Sequence, residues 1–359
     1  MIKRTLGACG IEVSGLGVGC WAIGGPDTNL GLPMGWGSVT EADAIAGLEC
    51  AWELGATLFD TADVYGHGRS ERLLGTLVAQ VPRNEIQLVS KVGYFAGTAA
   101  HGYDTGHMRR QLEQSLDNLD TDYLDVYFFH HSDFGPNNER LELAIEAMYD
   151  FRAEGLIRAI GMRGPHRYAT DRISEAPKTD KDKRFRELFD RIRPQVLAIR
   201  DNLLTPADRS MSIFGLADAH DCGVLINKPL AQGLLTGTYD PEYPRAFSEG
   251  DHRSRKRWFT PEATRMINEG LDQVRDLVGG SSADLVRIAL WSCLERSNNA
   301  AVLVGFSTPA QVTANITGSG QRPAEAVIAR VRAIMGDVQR RLDAAGEVFV
   351  DERAMGAHR

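Results

Sequence analysis

Thr57-Leu58-Phe59-Asp60-Thr61-Ala62 is a short apolar run that ends in an acid and a hydroxyl, just ahead of Asp63-Val64-Tyr65-Gly66. A run of this length, without strict alternation and bounded by turn residues, is what a parallel strand buried on both faces requires. Seven further runs have the same character: Leu16–Trp21, Ile86–Val92, Leu124–His130, Ile157–Met162, Val196–Arg200, Gly223–Pro229 and Ala301–Phe306. Helical periods fall between them. Met108, Leu112, Leu116 and Leu119 recur behind a cap at Asp104 or Thr105. Leu141, Ala144, Ile145, Met148 and Phe151 form a second stripe, and Leu285, Ile288, Ala289 and Cys293 a third behind Ser281 or Ser282.

Eight alternating units predict an α/β fold, either a closed (β/α)8 TIM barrel or an open doubly wound sheet. The barrel is the expectation, as a single domain over 1–359. An N-terminal β-hairpin (Lys3–Leu6 and Glu12–Ser14 around Cys9-Gly10) should plug its bottom. Two polar stretches, Arg163–Lys183 and Asp240–Lys256, read as long loops after strands five and seven, where a barrel keeps its substrate loops.

Composition narrows the function classes. Of 359 residues, 43% are hydrophobic and 25% charged, which excludes fibrous and disordered chains. A formal charge of −8 argues against nucleic acid or an anionic membrane as partner. The start, Met1-Ile2-Lys3-Arg4, lacks the apolar core of an export signal, and no apolar run approaches the roughly 20 residues that span a bilayer. The five cysteines are isolated and odd in number, so the reading is of reduced thiols, no metal site and a cytoplasmic location.

The strand ends carry polar residues that a core would not choose. Strand two leads into Asp60 and Tyr65, strand three ends in Ser90-Lys91-Val92, and strand four in Phe128-Phe129-His130-His131. Asp60 beside Lys91 escapes the cost of a lone buried charge. A nearby ammonium favours phenolate, so Lys91 is expected to lower the Tyr65 pKa from about 10 and make it a general acid. His130 can hold a carbonyl oxygen as charge develops on it. His131 and His67 are read as rim or surface side chains.

These stretches closely resemble the aldo-keto reductases. The likeness lies in Phe59-Asp60-Thr61-Ala62-Asp63-Val64-Tyr65-Gly66 with Ser70-Glu71 and Leu74-Gly75, in Ser90-Lys91-Val92, in Leu116-Asp117-Asn118-Leu119 with Tyr123-Leu124-Asp125-Val126, and in Pro229-Leu230-Ala231-Gln232-Gly233-Leu234-Leu235-Thr236-Gly237. It implies a barrel, a nicotinamide cofactor (NADPH, with NADH as the alternative) and reduction of a small aldehyde or ketone. A homo-oligomer stays open. The family's catalytic tetrad falls on Asp60, Tyr65, Lys91 and His130. Cofactor contacts fall on Trp21, Asp60, Arg163, Lys228, Pro229, Leu230, Gly233, Leu235, Gly305, Phe306, Ser307, Gln311 and Asn315. A phosphate would gain from open N–H groups at the turn after Gly305. No arginine stands in that turn, so Lys228 or the Arg253–Arg257 cluster must supply charge for a 2′-phosphate; an ordinary solvated loop is the other reading of that cluster.

Three positions depart from the family pattern. Its Ser-Asn pair after strand five, which holds the nicotinamide carboxamide, is Arg163-Gly164 here. Its glutamine and tyrosine on strand six are Ala198 and Asp201. Its Tyr-Ser before Pro-Leu is Asn227-Lys228. The preferred explanation is a substitute polar set of Arg163, Arg200, Asp201 and Lys228 serving an acidic or heavily hydroxylated substrate. A dinucleotide-binding regulatory barrel with little turnover, or redox-neutral acid–base chemistry on the same tetrad, are the alternatives.

Overall fold

Every one of the eight apolar runs falls on a barrel strand, to within two residues at either end, in the computed structural model, which describes residues 1–29, 31–165, 180–205 and 207–344, with backbone alone at 207–209. A hairpin of β1 (Lys3–Thr5) and β2 (Glu12–Ser14) leads into β3 (Leu16–Gly19), and a two-stranded ribbon of β4 (Thr28–Asn29) and β5 (Leu32–Pro33) follows it. The other barrel strands are β6 (Leu58–Asp60), β7 (Gln87–Val92), β8 (Leu124–Phe129), β9 (Ile157–Arg163), β10 (Val196–Arg200), β11 (Gly223–Asn227) and β12 (Ala300–Gly305). They close in sequence order, β12 pairing with β3, and every rung of the barrel is parallel. The open-sheet alternative is thereby excluded.

Two apolar cores result. Inside the barrel, Leu58, Val89, Val126, Phe128, Ala159, Val196, Leu225 and Ala301 pack together, and Leu6, Ile11 and Val13 of the hairpin join them from below. The hairpin therefore is the bottom plug that the sequence suggested. Gly161 makes room for this packing, because a Cβ there would stand 2.5 Å from the Phe128 ring. Outside, the stripes Met108–Leu119 and Leu141–Phe151 lie against the strands. Asp104 caps its helix by accepting from the His107 N–H at 3.2 Å, and Ser281 forms a reciprocal capping box with Asp284. No single described helix is long and apolar enough to cross a membrane.

Five of the expected runs overshoot the ladder at their C-terminal ends, while those of β7 and β10 end where expected and β9 runs on to Arg163. Trp21, His130, Pro229 and Phe306 all lie just beyond their strands. At β11 the reason is local: Lys228 takes φ +59°, a left-handed turn that ends the ladder and swings the chain across the barrel mouth. The rim is built from these overshoots.

Candidate active site

At the rim between β6 and β7 the Lys91 ammonium lies 2.8 and 2.9 Å from the two Asp60 carboxylate oxygens and also donates to the Thr61 carbonyl. It stands 4.9 Å from the centre of the Tyr65 ring. All three side chains sit in the barrel mouth, where Asp60 and Lys91 are buried. Burial alone would lower the Lys91 pKa, but the Asp60 charge and Tyr65 more than offset it, so Lys91 stays charged. His130, just past β8, meets the Tyr65 ring edge-on at 5.8 Å between centroids and the Tyr94 ring at 4.6 Å. The four residues read from the strand ends are thus one cluster.

Tyr65 is placed by its neighbouring turn. Gly66 takes φ +60°, and a Cβ on it would fall 2.2 Å from the Gly24 carbonyl oxygen. Backbone on backbone here holds Tyr65 beside Trp21, whose ring lies 6.4 Å away. One expectation fails at this point. The Tyr65 pKa is raised above 10, since burial outweighs the pull of Lys91 and the Asp60 carboxylate adds to the rise. Tyr65 therefore holds its proton through the neutral range, as a proton donor does.

A cavity of about 1230 Å³ runs from this cluster across the barrel mouth. Its tetrad end is walled by Trp21, Asn29, Leu32, Met34, Trp36 and Tyr94. Its far end is lined by Gly305, Phe306, Ser307, Gln311 and Asn315 after β12. Arg163, Lys228, Pro229, Leu230 and Gly233 line the stretch between. Of the proposed cofactor contacts, Leu235 alone is misplaced. It lies 1% exposed in the outer core, because the two left-handed residues Gln232 and Gly233 turn the chain inward before it. The Ser307 N–H is not open to a phosphate either; it donates to Gln311 Oε1 at 2.8 Å.

The loop after β11 is no solvated loop. Arg253, Arg255, Lys256 and Arg257 are all buried and all line the cavity. Arg253 pairs with Asp251 at 2.7 Å and stacks 3.9 Å from the Trp36 ring centre. Lys256 donates to Gln232 Oε1 at 2.7 Å, and Arg257 reaches Asp343 at 3.5 Å. A parallel bridge between Gly35 and Asp251 joins this loop to the one carrying Trp36. The sequence pointed to neither Trp36 nor Tyr94 as cavity residues; the Gly35-Trp36-Gly37 spacing was the available signal for the first. Of the other expected loop, residues 166–179 lie outside the described residues, while Lys181 and Asp182 line the cavity.

Asp201 does not belong to the proposed polar set. It is 0% exposed, points away from the cavity and pairs with Arg296 at 2.7 and 3.2 Å. Arg163, Arg200 and Lys228 do line the cavity, Lys228 with its ammonium 4.6 Å from the Trp21 ring centre.

His131 is likewise no rim residue. At 3% exposure its Nε2 lies 2.8 Å from the Gly93 carbonyl, its Nδ1 accepts from the Asp133 N–H, and Tyr103 Oη bonds its backbone at both N–H and C=O. Burial lowers its pKa from 6.5 to about 4. The folded state thus prefers neutral His131, so its contribution is complete above pH 6.5 and is lost as pH falls towards 4. A shift of this size corresponds to about 3 kcal/mol of unfolding free energy. Buried His252 titrates in the same sense. In urea melts between pH 7 and 4, His131→Gln should therefore show a shallower loss of stability than the wild type; an unchanged pH slope would remove His131 as its source. His67 is exposed as expected, with Nε2 3.1 Å from Asp27.

Comparison with known proteins agrees with this geometry. The model of the Aldo/keto reductase family matches residues 15–335. The chain is 27% identical over 330 residues to the NADH-specific methylglyoxal reductase of Escherichia coli (strain K12), covering 88% of this chain and 93% of that protein. It is 27% identical over 323 residues to the L-galactose dehydrogenase of Arabidopsis thaliana, covering 87% and 86%. Among solved structures, a glycerol dehydrogenase from Gluconobacter oxydans superposes with a TM-score of 0.71 at 22% identity, over 93% of this chain and 95% of that one. An aldo-keto reductase from Bacillus halodurans gives 0.66 at 24% identity, over 94% and 96%.

Proposed function

The chain belongs to the aldo/keto reductase family, and from that premise we propose that it is a cytoplasmic, NADPH-dependent reductase of small carbonyl compounds. The observation that carries the reading is the buried Asp60–Lys91 pair set against the ring of a protonated Tyr65, with His130 edge-on to it at one end of a long cavity. A bound reduced nicotinamide would supply the hydride. Tyr65 gives its hydroxyl proton to the substrate oxygen, and Lys91, held charged by Asp60, stabilises the phenolate left behind. His130 orients that oxygen, and the Trp21, Trp36 and Tyr94 walls exclude water from it.

The cavity suits a dinucleotide along the β11 and β12 ends. Lys228, Arg255, Lys256 and Arg257 stand on the same cavity as Ser307, Gln311 and Asn315, and this density of cations supports NADPH over NADH. The substrate end combines tryptophans with Asn29 and Asp27, and Arg163 follows next along the cavity, which fits a small, oxygen-rich or acidic carbonyl compound. Relatives whose names carry methylglyoxal and L-galactose agree with a substrate of that size.

The test is oxidation of NADPH and of NADH across a panel of aldehydes, ketones, sugars and oxo acids, with product analysis. Alcohol formation matched to NADPH consumption is expected. Preference for NADH would overturn the cofactor assignment. Binding without turnover would indicate a regulatory barrel, and product without net cofactor consumption a redox-neutral enzyme.

A further inference from the structure

At the tetrad end of the cavity one charged group has no role in the chemistry above. Asp27 lines the cavity with a side chain that is 11% exposed. Among the described residues no lysine or arginine pairs with it; its one ion-pair contact is the exposed His67, whose Nε2 lies 3.1 Å from Oδ1. The same oxygen accepts the Thr28 N–H at 2.7 Å. No described hydrogen bond reaches Oδ2, and that atom is not closed off from solvent. The other charges at this end are already answered, Asp60 by Lys91 and Arg253 by Asp251. A carboxylate this far buried without a strong cation is costly to keep, so its open oxygen on a binding cavity calls for a donor that the ligand brings.

The backbone fastens Asp27 beside the tetrad. Gly24 packs on the Tyr65 backbone, where a Cβ would fall 2.9 Å from the Tyr65 carbonyl carbon, and His67 follows Tyr65 by two residues. On the other side Asn29 Nδ2 donates to the Tyr94 carbonyl at 3.5 Å, and the Tyr94 ring stands 4.6 Å from that of His130. The Asp27 carbonyl accepts the Met34 and Gly35 N–H groups at 2.9 and 3.2 Å, and its own N–H donates to the Gly250 carbonyl at 3.4 Å. The segment from Asp27 to Asn29 is thus tied to the neighbours of both residues that meet the substrate oxygen, and is set before any substrate arrives.

Resting on the reading of this cavity as a carbonyl-reductase site, we propose that Asp27 is a specificity-determining residue: its Oδ2 accepts a hydrogen bond from a hydroxyl that the substrate carries near its carbonyl group, and its charge turns away a carboxylate presented at the same place. A carboxylate is acceptor-only, and an O–H donated to it makes a short, strong bond. A hydroxylated chain also suits the walls, since its C–H groups can lie on Trp21 and Trp36 while a hydroxyl turns to Asp27. A substrate carboxylate meets like charge here and finds Arg163 only farther along the cavity. A substrate without the hydroxyl leaves Asp27 desolvated and unanswered, which is how a site built for a hydroxyl rejects its deoxy analogue. Of the two substrate classes that suit this cavity, uncharged hydroxylated carbonyl compounds are the ones Asp27 selects.

The test compares kcat/KM of the full-length protein for three aldehydes, with whichever reduced nicotinamide it oxidises. Glyceraldehyde carries hydroxyls beside its carbonyl, propanal is the same carbon chain without them, and succinic semialdehyde carries a carboxylate. Asp27→Ala should lower the ratio of glyceraldehyde to propanal by about 10- to 100-fold, as for a lost hydrogen bond to a charged group. Asp27→Asn keeps the shape and an acceptor, so that ratio should fall by only about 3- to 10-fold. The same variant removes the like charge, so the ratio of succinic semialdehyde to propanal should rise by about 10-fold. A merely structural role for Asp27 would move all three substrates together and leave both ratios alone, and that result in the isosteric Asp27→Asn would overturn the proposal. So would a wild type that reduces other carbonyl compounds but no hydroxylated one, with the reductase reading left standing. Failure of the wild type to oxidise either nicotinamide with any carbonyl compound would instead overturn the reading of the cavity on which the proposal rests.

Discussion

Tyr65→Phe is expected to lower kcat for carbonyl reduction by about 100- to 10,000-fold, the contribution of a positioned general acid. The substitution keeps the ring that lies 4.9 Å from the Lys91 ammonium and 6.4 Å from Trp21, and it removes one O–H. Dinucleotide affinity, measured by fluorescence titration, should therefore stay within about 2-fold of the wild type, well under one lost hydrogen bond. The pH profile offers a second reading of the same group. Burial raises the Tyr65 pKa above 10, so the protonated, donating form persists through the neutral range. Reduction by the wild type should hold on the acid side and be lost only as pH rises through that raised pKa. Full turnover in the variant, or an alkaline limb below pH 10 that Tyr65→Phe leaves in place, would move the proton donor to another residue.

The strand positions, and the gathering of Asp60, Tyr65, Lys91 and His130 at one rim, were legible because each depends on local pattern. A strand buried on both faces must be apolar throughout, and a polar residue at its end has no packing reason to be there; Asp60, Lys91 and His130 stand out because they do so together, on one strand end after another. What was not legible depends on segments far apart in the chain. Whether Tyr65 has a raised or lowered pKa turns on how thoroughly the loops carrying Trp21 and Trp36 exclude water, and those loops are set by a bridge from Gly35 to Asp251 more than two hundred residues away. His131 follows His130 directly, yet its burial is decided by Tyr103. The Arg253–Arg257 cluster has the composition of a surface loop and is buried because Asp251, Gln232 and Asp343 meet its charges. Leu235 follows a contact-bearing stretch in sequence and leaves the cavity only because left-handed backbone at Gln232 and Gly233 turns it away.

Asp201 is the sharpest of these cases, and it yields the largest expected effect on stability. The position follows directly on β10 and aligns with the family's strand-six tyrosine, which is why a site role suggested itself. Its carboxylate is instead the counter-charge of Arg296, with side-chain exposures of 0% and 6%, and it also opposes the half-buried Arg332 guanidinium nearby. Asp201→Asn keeps the shape and removes the charge, leaving the buried Arg296 side chain without its counter-charge and close to a second cation, Arg332. Loss of one partner from a buried pair costs about 3–5 kcal/mol. With about 2.1 cal/mol/K of unfolding entropy per residue, a chain of this length should lose about 4–7 °C in Tm. Replacing both partners by apolar residues of similar volume, Asp201→Leu with Arg296→Met, should recover much of that loss, because no unpaired charge then remains from the pair. Calorimetry of the three proteins reads this directly. At 25 °C, kcat/KM of Asp201→Asn should match the wild type. A variant that melts like the wild type but binds an acidic or hydroxylated substrate more weakly would instead return Asp201 to the cavity, and would require the Arg296 pair to open when substrate enters.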